Sequence, residues 1–258
     1  MSAMALRIIA ALSMLLDHIG CLFGIYEFRI IGRIAFPLYL FLLYNGYRHT
    51  SNKLLYAVRL GVFALFSQIP FSLFITGNSA FTANGNVFFT LLICLICIWI
   101  TDAMLRNKIA KWICFIPTVA VFALYYFNLI STDNGENGIL LAFVFVAFYG
   151  KGKGFMRKLI TSFGMLCVIF HSYIIKWILF LFDFVTGQKT AVPTMSDWQM
   201  LQIFALVSLV FIFLYNNKRG KWPLGKANSR VVQYGFYAFY PIHLLVLWTI
   251  KVVLNALM

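Results

Sequence analysis

The stretch Arg7-Ile-Ile-Ala-Ala-Leu-Ser-Met-Leu-Leu-Asp-His18 is an apolar segment that carries three ionisable side chains. A charge near the centre of a bilayer costs at least ~2.5–3.5 kcal/mol, so such residues usually face a protein interior or a water-filled cavity. Eleven residues at ~100° each make about three helical turns, which places Arg7 and His18 on one stripe, about 16 Å apart along the axis. The guanidinium at one end suits a phosphate, and the imidazole further in suits proton transfer.

The composition around this stretch predicts an all-α, polytopic membrane bundle with a single domain over residues 1–258. Of the 258 residues, 62% are hydrophobic and 11% are charged, which is more apolar surface than a soluble domain of this length can bury. Apolar runs separated by polar links predict about nine membrane-spanning helices, at 4–24, 33–47, 54–75, 87–105, 112–129, 139–149, a seventh ending near 182, 198–215 and 231–254. The run at 139–149 is short for a hydrocarbon core of ~30 Å.

The net charge of +14 is explained by topology rather than by nucleic acid binding. Most of the basic residues lie in alternate links between apolar runs, as the positive-inside rule requires. This pattern predicts a cytoplasmic amino terminus, and an odd number of crossings then puts the carboxyl terminus outside. The lipid bilayer is an expected partner, and no nucleic acid is.

A substrate that is anionic at one end and reactive at the other fits the first helix. Acyl-coenzyme A is such a molecule, since its phosphates lie far from its thioester. We expect Arg7 to hold the phosphates together with the cytoplasmic bases Arg48, Lys53 and Arg59. His18 would act as a general base near the thioester. In the alternative interpretation Arg7 only snorkels to the membrane surface and His18 bonds a neighbouring backbone group.

Other polar groups at membrane depth complete the candidate site. Asp17 points ~100° away from His18 around the helix, so we expect it to meet a base such as Arg33. We group Asp17 with His18 as catalytic, although a purely structural ion pair is an equal alternative. Pro37 is predicted to kink the second helix. The candidate substrate-binding residues are Arg33, Asn86, Tyr240 and His243.

No metal site is expected, because the sequence contains no zinc signature. It also lacks a Walker loop, a serine nucleophile elbow and a Gly-rich dinucleotide loop. The pair Cys94-Leu-Ile-Cys97 has redox or metal spacing, but it has no second pair and no polar setting. We interpret these cysteines as small apolar side chains on a membrane helix.

Several of these motifs resemble known membrane acyltransferases. Arg7-x10-His18 is similar to the Arg-x10-His pattern of the acyltransferase 3 family, and the segment from Phe36-Pro37 to Gly46 is similar to the second-helix motif of heparan glucosaminide acetyltransferases. Four motifs together resemble the TraX family, which is named for the F-pilin N-terminal acetylase: Asp17-His18-Ile-Gly20, Gly32-Arg-Ile-Ala-Phe-Pro37, Asn86-Val-Phe-Phe-Thr90 and Phe236-Tyr-Ala-Phe-Tyr-Pro-Ile-His243. The resemblance runs from the first helix to the last and is weakest over 102–197.

The resemblance implies a multi-pass acyltransferase of the bacterial cytoplasmic (inner) membrane. Such an enzyme takes an acyl group, here an acetyl group, from cytoplasmic acetyl-CoA. The acceptor, often on the other side of the membrane, would be an amine or hydroxyl of a peptide, a pilin-like protein or a glycan. Carried onto this chain, the resemblance implies that His18 is the catalytic residue and that Arg7 binds the acyl donor.

Two other classes of function stay open at the level of sequence. A small transporter or proton-coupled exporter would use Asp17, His18, His171 and His243 as a proton relay, and broken helices suit transporters. Against this interpretation, the sequence contains no visible inverted repeat and few acidic residues at depth. A membrane scaffold without chemistry is the third possibility, and it would tolerate substitution of Arg7 and His18.

Overall fold

The computed structural model of the chain describes residues 1–78, 84–149, 154–186, 192–220 and 229–257. Regular structure in these ranges is helical, apart from one isolated β-bridge between Gly85 and Thr132. The α-helices, in chain order, are α1 (Ala3–Phe23), α2 (Tyr26–Gly32), α3 (Ala35–His49), α4 (Lys53–Thr76), α5 (Val87–Arg106), α6 (Ile116–Tyr126), α7 (Gly135–Val144), α8 (Gly154–Thr186), α9 (Asp197–Gln202), α10 (Ser208–Phe213) and α11 (Ser229–Leu257). Short 3₁₀ segments lie at Ala110–Ile113 and Ile203–Val207, and a π-helical segment extends α7 over Phe145–Tyr149.

Five of the described helices are long and apolar enough to cross a membrane. They are Ala3–Phe23, Lys53–Thr76, Val87–Arg106, Gly154–Asp183 and Val231–Leu257. Three shorter apolar helical stretches, Ala110–Tyr126, Gly135–Tyr149 and Gln199–Phe213, accompany them. The predicted helical, multi-pass membrane architecture is therefore confirmed, while the number of nine crossings stays a prediction.

The segment between the first two predicted helices differs from the sequence-based expectation. The supposed polar link contains the short helix α2, and α3 begins only at Ala35. Pro37 is therefore in the first turn of α3, where its missing N–H would have had no intrahelical acceptor. The prediction that Pro37 kinks the second helix is wrong: it helps to start that helix. Pro70 and Pro241 do lie inside their helices, α4 and α11.

Side-chain caps and one glycine fix where the central helices begin and end. The Ser2 hydroxyl accepts a hydrogen bond from the Ala5 amide (3.3 Å) at the start of α1. Gly24 ends the same helix in the left-handed region, at φ 70°, which glycine adopts without steric penalty. The Asn52 and Asn86 side chains accept from the Leu55 and Phe88 amides and begin α4 and α5.

Helix α1 packs against α2, α3 and α11, and α11 packs in turn against α4. The first and last long helices are therefore neighbours. The interior around them is filled by large apolar side chains such as Leu6, Leu38, Phe41 and Leu244, none more than 1% exposed. Helix α8 has only 11% of its most apolar window buried, so most of its surface is available to lipid.

Candidate active site

Two cavities meet beside α1. The larger, which we call the basic cavity, has a volume of about 440 Å³ and is lined by Arg7, Arg59 and Arg219 among others. The smaller, which we call the histidine cavity, has a volume of about 70 Å³ and is lined by His18. Both cavities share four lining residues, which form their junction: Met14, Tyr39, Val87 and Tyr240.

His18 and His243 form a hydrogen-bonded pair between α1 and α11. Nδ1 of His18 lies 2.9 Å from Nε2 of His243, and Nδ1 of His243 lies 2.7 Å from the Phe239 carbonyl oxygen. A carbonyl only accepts, so Nδ1 of a neutral His243 carries its proton and Nε2 is an acceptor. Nδ1 of His18 must then donate, which leaves the lone pair of a neutral His18 on Nε2. The arrangement thus gives the histidine cavity a nitrogen base of fixed tautomer.

Aromatic rings hold this pair in place. The Phe74 ring meets the His18 ring edge-on, with centroids 5.3 Å apart. The Phe239 ring stacks on His243 at 4.9 Å. His243 is only 5% exposed, so its imidazole has little freedom to rotate, while the partly buried His18 ring is held by Phe74 and by the bond to His243.

Asp17, adjacent to His18 in the chain, belongs to a separate network. Its carboxylate bonds Arg29 Nη1 at 2.8 Å and also pairs with Arg33 Nη2. The three side chains are between 7% and 22% exposed. A Cβ on Gly32 would overlap the Asp17 carboxyl group, so this close approach of α1 to the end of α2 requires glycine. The predicted contact between Asp17 and Arg33 is present, and Asp17 does not contact the His18 ring in the described network.

Asp133 adds a second carboxylate to the lining of the histidine cavity. It lies between α6 and α7, and its side chain accepts a hydrogen bond from Asn134 Nδ2 at 2.9 Å. Its backbone is fixed by the Thr90 hydroxyl and by a bond from its amide to the Gly85 carbonyl (2.9 Å). Burial raises the pKa of the Asp133 carboxyl, against the opposing influence of the Arg33 guanidinium.

The start of α1 and the segment after α10 together build the basic cavity. The Ala3 and Met4 amides donate to the carbonyls of Lys218 (2.9 Å) and Arg219 (3.0 Å), which satisfies two amides of the first helical turn. This pairing brings Arg219 to the cavity that Arg7 also lines. Several positive charges around one concave surface favour binding of a phosphate-bearing ligand.

Two predicted donor-binding residues lie elsewhere at this end of the molecule. Arg48 is exposed and Lys53 is partly buried, and neither side chain lines the basic cavity of the described chain. Lys53 Nζ donates to the Tyr47 hydroxyl (2.8 Å), which donates to Asp102 Oδ2 (2.8 Å). Arg59, by contrast, does line the cavity, with its guanidinium 5.8 Å from the centre of the Tyr56 ring.

Asn86 is buried in a structural network. Its Nδ2 donates to the Ala64 carbonyl (2.7 Å) and to Gln68 Oε1 (2.8 Å), while its Oδ1 caps α5. It lines neither of the two cavities of the described chain. His171 also lines neither cavity of the described chain, and its Nε2 lies 3.6 Å from Glu136 Oε2.

Sequence reasoning did not assign site roles to Arg29, Asp133, Gln202 and Arg219. Arg29 and Arg33 are four residues apart, the spacing that places two side chains on one helical face. The shared face of Arg29 and Arg33 cannot be inferred when the segment that forms α2 is interpreted as a non-helical link. Asp133 and Arg219 lie between helices, where sequence spacing does not reveal spatial neighbours.

Comparison with known proteins supports the TraX resemblance of the sequence motifs. No solved structure matches the chain. The chain is 27% identical over 268 residues to the probable fimbrial assembly protein FimC, serogroup H1, of Dichelobacter nodosus, and the match covers 98% of this chain and 97% of that protein. A family model described as TraX protein matches residues 2–251. Since that match spans nearly the whole chain, including both histidines of the pair, this protein belongs to the TraX family.

Proposed function

We propose that the protein is a membrane-embedded acyltransferase that moves an acetyl group from cytoplasmic acetyl-CoA to an amine or hydroxyl of an acceptor. The observation that carries the proposal is the His18–His243 pair, because His18 lines a small cavity that adjoins a larger basic one. The name of the Dichelobacter nodosus relative supports a pilin-related acceptor. The predicted link to the acyltransferase 3 and heparan glucosaminide acetyltransferase families is part of the same proposal.

The basic cavity is the proposed donor site. Its volume of about 440 Å³ is within the ~300–1,000 Å³ of ordinary small-molecule sites. Arg7, Arg59 and Arg219 would hold the phosphates, and the thioester would reach the junction beside His18. The positive-inside rule assigns this end, with its basic links, to the cytoplasm of a bacterial cell.

The chemical step needs one base and no further cofactor. The acceptor nitrogen or oxygen attacks the thioester carbonyl carbon, while Nε2 of His18 takes the acceptor proton. The carbon–sulfur bond then breaks, the thiolate of coenzyme A leaves, and the imidazolium returns the proton to it. Such general base catalysis contributes ~10²–10⁴-fold in rate.

The histidine cavity is the proposed acceptor end. Asp17, Arg33 and Asp133 line it, so it offers charges of both signs to an entering peptide or glycan. In this arrangement Asp17 positions Arg33 and Arg29 rather than orienting the His18 ring.

Acetyl transfer by the protein in lipid nanodiscs tests the proposal. Labelled acetyl-CoA would be supplied with peptides bearing a free or blocked amino terminus, and both label transfer and free thiol would be measured. We expect transfer by the wild-type protein and a loss of ~10²–10⁴-fold for His18→Gln.

His171→Gln is the matched control, because it makes the same change in a helical histidine that lines neither described cavity. Full activity of His18→Gln would remove that residue from the catalytic role. Uptake of a solute into vesicles without consumption of thioester would instead favour the transporter class.

A further inference from the structure

Buried polar side chains without a hydrogen-bond partner are uncommon in proteins, and each one requires an explanation. In the described part of the chain, two such atoms belong to residues that line the histidine cavity. They are the Tyr240 hydroxyl and Nε2 of Gln202. Both groups can donate a hydrogen bond, while Nε2 of His18 in the same cavity can only accept one in its neutral form.

Tyr240 lies at the junction of the two cavities and is 2% exposed. Its ring centre is 6.3 Å from that of His18 and 5.7 Å from that of His243. The Phe88 ring packs edge-on against the Tyr240 ring, with ring centres 5.3 Å apart, and this contact fixes the plane of the Tyr240 ring. The Val87 backbone amide faces the Tyr240 oxygen, which also fixes the hydroxyl, and no described residue accepts the hydroxyl proton.

A thioester that passed from the basic cavity toward His18 would cross the junction that Tyr240 helps to form. When the acceptor attacks, the carbonyl oxygen becomes an oxyanion, and hydrogen-bond donors already aimed at that position lower the barrier. Arg33 also lines the histidine cavity, but its guanidinium is engaged with the Asp17 carboxylate. Among the described residues that line this cavity, the buried donors whose protons have no acceptor are the Tyr240 hydroxyl and the Gln202 carboxamide.

We propose that the Tyr240 hydroxyl donates a hydrogen bond to the oxyanion of the tetrahedral intermediate, with the Gln202 carboxamide as a second donor. The inference rests on the proposed acyl transfer and adds to it the group that stabilises the developing charge. The Tyr240 proton stays on its oxygen throughout, so the proton balance of the reaction is unchanged.

Tyr240→Phe tests this role, because it removes only the hydroxyl. We expect kcat for acetyl transfer to fall by about 10²–10³-fold, the loss seen when other enzymes lose one hydrogen-bond donor to an oxyanion. The KM for acetyl-CoA should stay within about twofold of the wild-type value. The melting temperature should change little, because no described residue accepts the hydroxyl proton and so no acceptor is left unpaired. Tyr234→Phe, the same change on the same helix, should leave both quantities unchanged. Gln202→Leu should lower kcat by about 10-fold or more, again without a loss of stability.

The outcomes separate this inference from the proposed function. If the wild-type protein transfers acetyl groups and Tyr240→Phe does so at the same rate, the oxyanion role is refuted and the proposed function stands. If kcat and melting temperature of Tyr240→Phe fall together, the hydroxyl is structural and the role is refuted. If the wild-type protein transfers nothing to any acceptor, both proposals fail.

Discussion

Nδ1 of His18 and Nε2 of His243 lie 2.9 Å apart, although 225 positions separate the two residues. The contact joins α1 to α11, so neither helix alone contains the proposed base in its working tautomer. His243 is therefore a positioning residue: it accepts the proton of Nδ1 and leaves Nε2 of His18 with the lone pair.

His243→Ala should lower kcat for acetyl transfer by about 10²-fold, because the tautomer of His18 is then no longer fixed. KM for acetyl-CoA should change little, since His243 is outside the basic cavity. Steady-state kinetics and the pH dependence of kcat would measure both effects. His171→Ala is the control, and an unchanged kcat in His243→Ala would contradict the positioning role.

Asp17→Asn should reduce the stability of the folded protein by about 3 kcal/mol, because it leaves the Arg29 and Arg33 guanidiniums without their buried carboxylate. Thermal unfolding in detergent micelles would show the loss. Arg106→Gln removes one partner of the exposed pair with Asp102 and should have little effect. Equal melting temperatures for Asp17→Asn and wild type would show that the network has no net stabilising effect.

Gly32→Ala should destabilise the protein by about 1–3 kcal/mol through overpacking, because the added Cβ overlaps the Asp17 carboxyl group. Gly235→Ala offers a matched control inside α11, where no atom lies within 4 Å of an added Cβ. That second change should stabilise the helix by about 0.5–1 kcal/mol. Melting temperatures of the two variants should therefore move in opposite directions.

Neutralising Arg7, Arg59 or Arg219 should raise KM for acetyl-CoA by about 10-fold or more with little change in kcat. Each would remove a charge-assisted hydrogen bond to phosphate, worth about 1.5–3 kcal/mol. Lys108→Gln, a change at an exposed residue after α5, is the control for net charge. If all three arginine variants give the wild-type KM, the donor phosphates bind somewhere else.

Asp133→Asn should change how stability depends on pH. Burial raises the pKa of this carboxyl in the folded protein, so its contribution to stability is present below the unfolded pKa, near ~3.9, and is lost as pH rises through the folded pKa. The asparagine variant does not titrate, so its melting temperature should rise relative to wild type as the pH increases from the unfolded pKa through the raised folded pKa. Glu27→Gln, at an exposed carboxylate, controls for the loss of one negative charge. A constant difference between Asp133→Asn and wild type across this range would refute the prediction.

The helical pattern was largely predictable, because long apolar runs alone indicate spanning helices. Each predicted run has a helical counterpart among the described residues, at bounds that differ by a few positions. Helix α2 was missed because Glu27 and Arg29 give its seven residues a polar character. Pro37 was misinterpreted for a related reason, since the end of α2 moves the start of α3 to Ala35.

The site was predictable only in part. Arg7 and His18, which share one stripe of the first helix, both line interior cavities. The two cavities are different ones, however, and Met14 of the same helix lies at their junction. The pairing of His18 with His243 depends on how α1 packs against α11, and sequence spacing carries no information on a contact between helices so far apart in the chain. Asn86 is a polar residue at membrane depth, which is typical of a site residue. Its side-chain amide, however, is hydrogen-bonded to the backbone of α4 and to Gln68.

The junction formed by Met14, Tyr39, Val87 and Tyr240 has a bioenergetic consequence. In the proposed enzyme, whose donor and acceptor would enter from opposite sides of the membrane, these four side chains would lie between the two openings. A continuous chain of water molecules between them would let protons cross the membrane down their gradient. The acyl group of the proposed reaction would then have to fill this passage as it crosses, so that the two sides of the membrane stay sealed from each other.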